Sequence, residues 1–335
     1  VPDEVTTLGD NAFNACTGLR QITLGNRLAS LGNYAFSGCS GITAMTIPDS
    51  VITIGSRAFQ SCSGLTSLHL GSGVATIGSY AFYGCTGLTT VDIPASVTAI
   101  QTRAFDGCTE LTGLFVTAEN STYSSVDGVL FDQTRTTLLV YPSGKSGPYA
   151  VPAGVSSIEA YAFNGCNRLT AIALPDSLIM IGSYAFSGCT GLTSLEIPNG
   201  VTSIDTYAFN GCCNLRNLRL GTGLVTIGSR SFSGCSGLVN LEIPGSVMTI
   251  GSYAFSGCSA LTGLILHDGI VTIQGQAFSG CTELTSVEIP ASVLSIQDRA
   301  FASCPQLAAL DIAEDNPAYV SVEGVLYNQD RTVLL

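Results

Sequence analysis

This 335-residue sequence predicts a solenoid, a stack of about twelve short coils wound around one continuous core. Three observations predict it. Cys16, Cys39, Cys62, Cys85 and Cys108 stand 23 residues apart, and Cys166, Cys189, Cys212, Cys235, Cys258, Cys281 and Cys304 repeat the step. A Phe precedes each of these cysteines by three positions, and of the 13 cysteines only Cys213 lies outside the pattern. Aligned on the cysteine, the copies read approximately L-T-S-L-x-I-P-x-S-V-T-x-I-G-S-Y-A-F-S-G-C-T-G. A fixed period of this length marks an array in which one unit cannot bury its apolar face alone and neighbours supply the missing core.

Each part of the coil follows from its residues. In L-x-x-L-x-I, as from Leu192 to Ile197, Leu195 and Ile197 alternate as in a strand, and Pro198 ends it because it offers no N–H to a ladder. Val201 to Ile204 is a second short extended piece with Val and Ile inward. The A-F-x-x-C segment, with Ala208 and Phe209 just before Cys212, suits one helical or 3₁₀ turn, and the glycines around it permit tight corners. Coils stacked in register at strand spacing would form one parallel sheet roughly 55–60 Å long.

The array is interrupted once inside the chain. Cys108 and Cys166 are 58 residues apart, which leaves an enlarged coil. Its segment VTAENSTYSSVDGVLFDQTRTTLL (Val116 to Leu139) returns as IAEDNPAYVSVEGVLYNQDRTVLL (Ile312 to Leu335). Asp127-Gly128 reads as a hairpin turn, with TLLVYP as a third strand. The expected organisation is a first array over 1–114, an enlarged coil with a β-hairpin insert over 115–150, a second array over 151–311 and a truncated second insert over 312–335. The second insert stops inside a strand that continues in the first, so a longer array is expected.

These motifs closely resemble the BspA-type leucine-rich repeat family, whose unit reads I-G-x-x-A-F-x-x-C-x-x-L-x-x-L-x-I-P-x-S-V and whose interrupting module is similar to SVDGVLFDQTRTTLLVYPSGK. The resemblance covers essentially the whole chain. It implies a leucine-rich-repeat solenoid, a right-handed curved stack with a parallel sheet, short helical or 3₁₀ turns and the hairpin insert. It also implies a secreted or cell-surface protein of bacteria or protists, and in some members adhesion to matrix proteins or other cells. The sequence departs from the commonest pattern in having a single lysine, Lys145, and in using L-G (Leu24-Gly25, Leu70-Gly71, Leu220-Gly221) where other coils have I-P.

Composition excludes several functions. Twelve basic against 24 acidic side chains give a formal charge of −12, so nothing supplies the positive surface that nucleic acid requires. No apolar run approaches the roughly 18 residues of a membrane span. The start, VPDEVTTLGD, has neither a basic region nor an apolar stretch, so it lacks a secretion signal or begins downstream of one. In-register cysteines point in parallel and hold their Cβ atoms too far apart for disulfides, so buried reduced thiols are expected, and an exported protein keeping them fits a low-oxygen niche. Cys213 is either an exposed thiol or a buried bystander. His69 and His267 occupy different phases of the repeat, which leaves no His-based metal site or catalytic triad. No phosphate-binding glycine motif occurs. No metal or other cofactor is expected, and the sequence argues against an enzyme.

Two stripes of variable positions remain. The first lies between the second Leu and the Ile of each strand, and its candidate binding residues are Asp92, Glu196, Arg219, Glu242, Glu288 and Asp311, with Arg216 on the same strand as Arg219. It reads as a patch for a basic partner or as a solvated sheet face. The second precedes A-F: Tyr161, Tyr184, Tyr207, Arg230 and Tyr253. It reads as a stabilising edge ladder through cation–π contacts or as an aromatic and guanidinium surface for protein or glycan. The expected function is non-catalytic recognition or adhesion at a cell surface, binding a protein or glycan of a host or neighbouring cell. The alternative is a structural spacer displaying another domain. Oligomeric state is not determined by these residues.

Overall fold

The V-x-x-I segments, only two residues of strand each, make the least interrupted pairing in the molecule. In the computed structural model, which describes residues 1–331, a first compact unit, Val1–Ser146, holds five of them. Thr7–Leu8, Ser30–Leu31, Thr53–Ile54, Thr76–Ile77 and Ala99–Ile100 form one parallel ladder. A second unit begins at Gly147 and holds seven, from Ser157–Ile158 to Ser295–Ile296, again parallel. The 23-residue step sets the register: Ile204 pairs with Ile227 and Ile227 with Ile250, so like stacks on like and each inward side chain is buried between its own equivalents.

The L-x-x-L-x-I strands behave differently, and here the single long sheet expected from the sequence is not formed. They pair as doublets: Ala44–Thr46 with Ser67–His69, Thr90–Ile93 with Gly113–Val116, Ser194–Glu196 with Asn217–Arg219, Asn240–Ile243 with Gly263–Leu266, and Ser286–Ile289 with Ala309–Ile312. In each of these the first coil carries Pro after its Ile (Pro48, Pro94, Pro198, Pro244, Pro290) and the second does not. Proline supplies the reason. In three of the second coils the residue after the strand donates its N–H back to the first, Thr117 to Ile93, His267 to Ile243 and Ala313 to Ile289. A Pro at that position has no proton to give, and the ladder breaks ahead of each of these five proline coils, although Gly147–Ala150 still pairs with Leu169–Ala173 ahead of Pro175. Ahead of Pro244 a single bridge survives, Asn217 to Asn240.

The helical or 3₁₀ turn expected over A-F-x-x-C is also absent; no helix occurs among the described residues. Ala35, Ser37 and Cys39 donate to the carbonyls three residues back, while Tyr34, Phe36 and Gly38 donate to Ser56, Ala58 and Gln60 of the next coil. Alternate peptides are turned outward by positive φ at Tyr34 (56°) and Gly38 (73°). A helix would keep all these N–H groups to itself, whereas this chain of turns shares half with its neighbour and thereby satisfies the next coil's carbonyls.

Inside, one Phe per coil stacks on the next. Ring centroids are 5.2–5.4 Å apart from Phe13 to Phe105 and 4.5–5.5 Å apart from Phe163 to Phe301. Beside them the cysteines have a definite task. From Cys39 to Cys108 and from Cys189 to Cys304, each patterned Sγ–H donates to the carbonyl of the Phe one coil back, at 3.0 Å from Cys62 to Phe36, 3.2 Å from Cys212 to Phe186 and 3.4 Å from Cys235 to Phe209. A small side chain with a weak donor and little desolvation cost suits this place. All thirteen thiols are free; Cys16 is exposed, and Cys213 and Cys304 are half-buried.

Both inserts dock through the same two residues. Tyr123–Val126 pairs antiparallel with Val129–Asp132 across Asp127-Gly128, whose φ values of 50° and 75° are those of a tight hairpin turn. The buried Asn120 donates to the carbonyls of Pro94 and Val97 and accepts from the N–H groups of Thr122 and Tyr123, while the Tyr123 hydroxyl accepts from Ile100 N–H. The phenol thus meets the last backbone donor of the five-strand ladder. Asn316 and Tyr319 repeat every one of these contacts on Pro290, Val293, Ala318 and Ile296. Of the second insert's expected third strand, Thr332 to Leu335 lie outside the described residues.

Candidate functional site

The break ahead of Pro198 opens a concavity on the strand face of the second unit. No backbone hydrogen bond joins Leu169–Ala173 to Ser194–Glu196 among the described residues, although each pairs with its other neighbour. The coils on either side of the gap both end their strands in Pro, Pro175 and Pro198, so no N–H after either strand can close it. The resulting hollow has a volume of about 710 Å³. Ile172, Leu174, Leu195, Pro198 and Leu218 give it an apolar floor, and Asp176, Ser194, Glu196, Asn217, Arg219 and Asn240 bring polar groups to its walls.

Strand alternation aims the polar groups outward while Leu195 and Leu218 hold the core. In register, Glu196 faces Arg219 and the two form an ion pair at 3.0 Å. Both side chains are largely exposed, so the pair contributes little stability and is free to exchange partners. Asn217 and Asn240 sit in register beside it and present amide donors and acceptors.

Of the first stripe, the structure therefore brings Glu196 and Arg219 together in this hollow. Arg216 is exposed on the adjoining residue run, its N–H bonded to Thr193. Glu242 lies further along and meets His267 at 2.6 Å. Glu288 and Asp311 face each other in register in the last doublet, and Asp92 stands beside Phe115 in the first unit, so these three do not join the hollow. Sequence reasoning missed Asp176, Ser194, Asn217, Asn240 and the floor. The pair of successive proline coils was the available signal.

The second stripe forms two stacks. Tyr161, Tyr184 and Tyr207 lie ring on ring with centroids 5.0 and 4.5 Å apart, and the Arg230 guanidinium sits 5.5 Å from the Tyr207 ring and 4.5 Å from that of Tyr253. In the first unit Arg57 lies between Tyr34 and Tyr80 in the same way. Every residue of this stripe has positive φ, between 55° and 65°. For a bulky side chain that backbone costs about 1–2 kcal/mol, which stacking offsets. Accordingly, Tyr207→Ala is expected to lose about 1–2 kcal/mol of stability, and Tyr207→Gly less than Tyr207→Ala by about 0.5–1 kcal/mol because glycine adopts this φ without strain. Urea midpoints of the two variants check the order, and a glycine variant weaker than the alanine one would contradict it.

Among the described residues no group of three or more His, Cys, Asp or Glu side chains is arranged to hold a metal ion, and no helix is long and apolar enough to cross a membrane.

Comparison with known proteins agrees with this architecture. No curated protein matches the sequence. Among solved structures, a leucine-rich repeat protein from Eubacterium ventriosum is similar at 26% identity and a TM-score of 0.81, over 96% of this chain and 85% of that one. A leucine-rich cell surface protein from Faecalibacterium prausnitzii is 27% identical with a TM-score of 0.57, over 93% of this chain and 78% of its own. The pneumococcal vaccine antigen PcpA shares the fold at 23% identity and a TM-score of 0.67, over 93% and 77% of the two chains. The sequence profile described as the BspA type leucine-rich repeat region matches six copies, over residues 1–112, 148–262 and 207–320. With most of its length matched and the repeat geometry in place, the chain belongs to the BspA-type leucine-rich repeat family.

Proposed function

We propose that this chain is a non-catalytic interaction module of a cell surface, which binds a protein of a host matrix or neighbouring cell through the strand face of its second unit. The observation that carries the reading is the hollow around Glu196 and Arg219, where exchangeable charges and amides surround an apolar floor on a rigid frame. An apolar centre with a polar rim is the composition of recognition surfaces. A protein ligand is favoured over a glycan because the stacked Tyr rings of the edge cover one another's faces, which a sugar would need. The cell-surface part of the reading rests on the family and on the likeness to the Faecalibacterium cell surface protein.

The test is binding of the chain to immobilised matrix proteins and to a glycan array, beside an Asp176→Ala, Glu196→Ala, Arg219→Ala triple variant. Affinity for a protein ligand is expected to fall at least tenfold in the variant while its melting temperature stays within a degree or two of the parent. Unchanged binding would move the site to the Glu288 and Asp311 end or to the Tyr/Arg edge. No binding by either protein would favour the spacer.

A further inference from the structure

A third row, on the outward side of the V-x-x-I ladder of the second unit, is apolar at five of its six positions where a solvated strand face would be polar. It runs through Ile179, Thr202, Val225, Met248, Val271 and Leu294. Ile179 is 52% exposed, Val225 40%, Met248 54% and Leu294 52%, with Met180 43% exposed beside them. The corresponding row of the first unit carries Ala29, Ile52, Ala75 and Thr98, mostly small or polar. Scattered apolar residues need no explanation, whereas a contiguous exposed row does.

The charges around the row are of one sign. Within four residues on either side of these positions and of Ser156 at the row's start stand Glu159, Asp176, Asp205, Asp268 and Asp298, and no Lys or Arg. The nearest cations, Arg230 and Arg299, come one residue further on, in the Tyr/Arg edge. His267, the remaining titratable neighbour, is engaged by Glu242.

We infer that this ridge docks a cationic amphipathic helix supplied by a partner protein. Spacing selects the helix. Consecutive ridge residues are one coil, about 4.7–4.9 Å, apart; helical residues three and four apart rise about 4.5 and 6.0 Å and share one face, whereas side chains on one face of an extended peptide recur every 6.4–6.8 Å. From Ile179 to Leu294 is five coils, about 24 Å, which a helix of about 16 residues spans. Charge selects the flanks: lysines or arginines beside the helix's apolar stripe meet the carboxylate rim. A second copy of this chain, itself at −12, would bring carboxylate rim against carboxylate rim.

The test uses an 18-residue peptide with leucines at helical i, i+3, i+4 and i+7 spacing and lysines elsewhere, titrated into the whole chain. One-to-one binding with a gain of helical circular dichroism is expected, weakened several-fold by 0.5 M NaCl. A Met248→Asp, Leu294→Asp double variant should bind at least tenfold more weakly, while Ile52→Asp, an equally exposed site in the first unit, leaves affinity unchanged; melting curves establish that both variants fold. A peptide with glutamate for lysine should not bind. Equal binding by the double variant and the parent would overturn the inference, as would binding without helix formation. So would a dimer of the chain, seen by sedimentation without peptide and abolished in the double variant, because the ridge would then belong to a second copy.

Discussion

Replacing Phe209 with Ala is expected to cost about 3–5 kcal/mol of stability. The ring is wholly buried, 4.9 Å from the centroid of Phe186 and 5.0 Å from that of Phe232, so its removal leaves a gap with aromatic walls in a rigid stack. The gap cannot collapse easily. The Phe209 carbonyl is held by Cys212 N–H and by the Cys235 thiol, and its N–H by Ser231 of the next coil. Bonds within the coil and to the next one therefore keep the coil in place while the side chain is gone. Phe301→Ala should cost less than half as much, because that ring is only half-buried at the end of its stack. Urea unfolding of the two variants decides the matter: a Phe209→Ala midpoint equal to the parent's would remove Phe209 from the energetic core.

The coil, its Phe stack and the hairpin at Asp127-Gly128 are legible in the sequence because each is a local pattern repeated in phase. A 23-residue step leaves no choice of register once strands pair, and an acidic residue before Gly between alternating strands selects the hairpin turn. What the sequence hid depends on neighbours. The A-F segment has the spacing of a helical turn, yet Phe36 N–H meets Ala58 C=O one coil away, an acceptor that no local reading contains. That acceptor is why Tyr and Arg occupy positive φ.

The candidate site was half legible. Glu196 and Arg219 stand out as variable positions, but the hollow beside them arises from a missing N–H at Pro198 after a coil that also ends in Pro175. Proline after the strand in one coil and another residue there in the next is the alternation that marks where these five pairs of strands join. The apolar ridge escaped for another reason: Val225 and Met248 precede inward-facing residues by two, and in so short a strand the outward position reads as more core.

Alkaline pH is expected to unfold this protein well before it unfolds an ordinary acidic one, and the cause is the cysteine ladder. Burial pushes the Cys108 and Cys258 thiols from an ordinary value of 9.0 up to about 12. Burial likewise raises Cys189, and a bond to the neighbouring thiol, then burial, raises Cys62 and Cys235. A thiol whose folded value exceeds its unfolded value stays neutral in the folded chain while the unfolded chain is already releasing its proton. Its stabilising contribution is thus complete below pH 9 and is lost as pH climbs from 9 towards the folded value. Each thiol raised in this way gives up at most about 1.4 kcal/mol per pH unit in that window, and burial raises Cys39, and a bond to Cys304 followed by burial raises Cys281, as well. Since a domain has only about 5–15 kcal/mol to lose, a fraction of that sum suffices. Urea midpoints should not fall from pH 7 to 8.5, where the Cys304 thiol, lowered to about 7 by its bond to Cys281, adds stability as it ionises first in the folded chain, and should fall steeply by pH 10, with a shallower fall in Cys258→Ala, which has one ionisable thiol fewer. A midpoint that is the same at pH 8.5 and pH 10 would mean that the unfolded chain keeps its thiols as shielded as the folded one, and the ladder would then contribute packing and hydrogen bonds without any pH dependence.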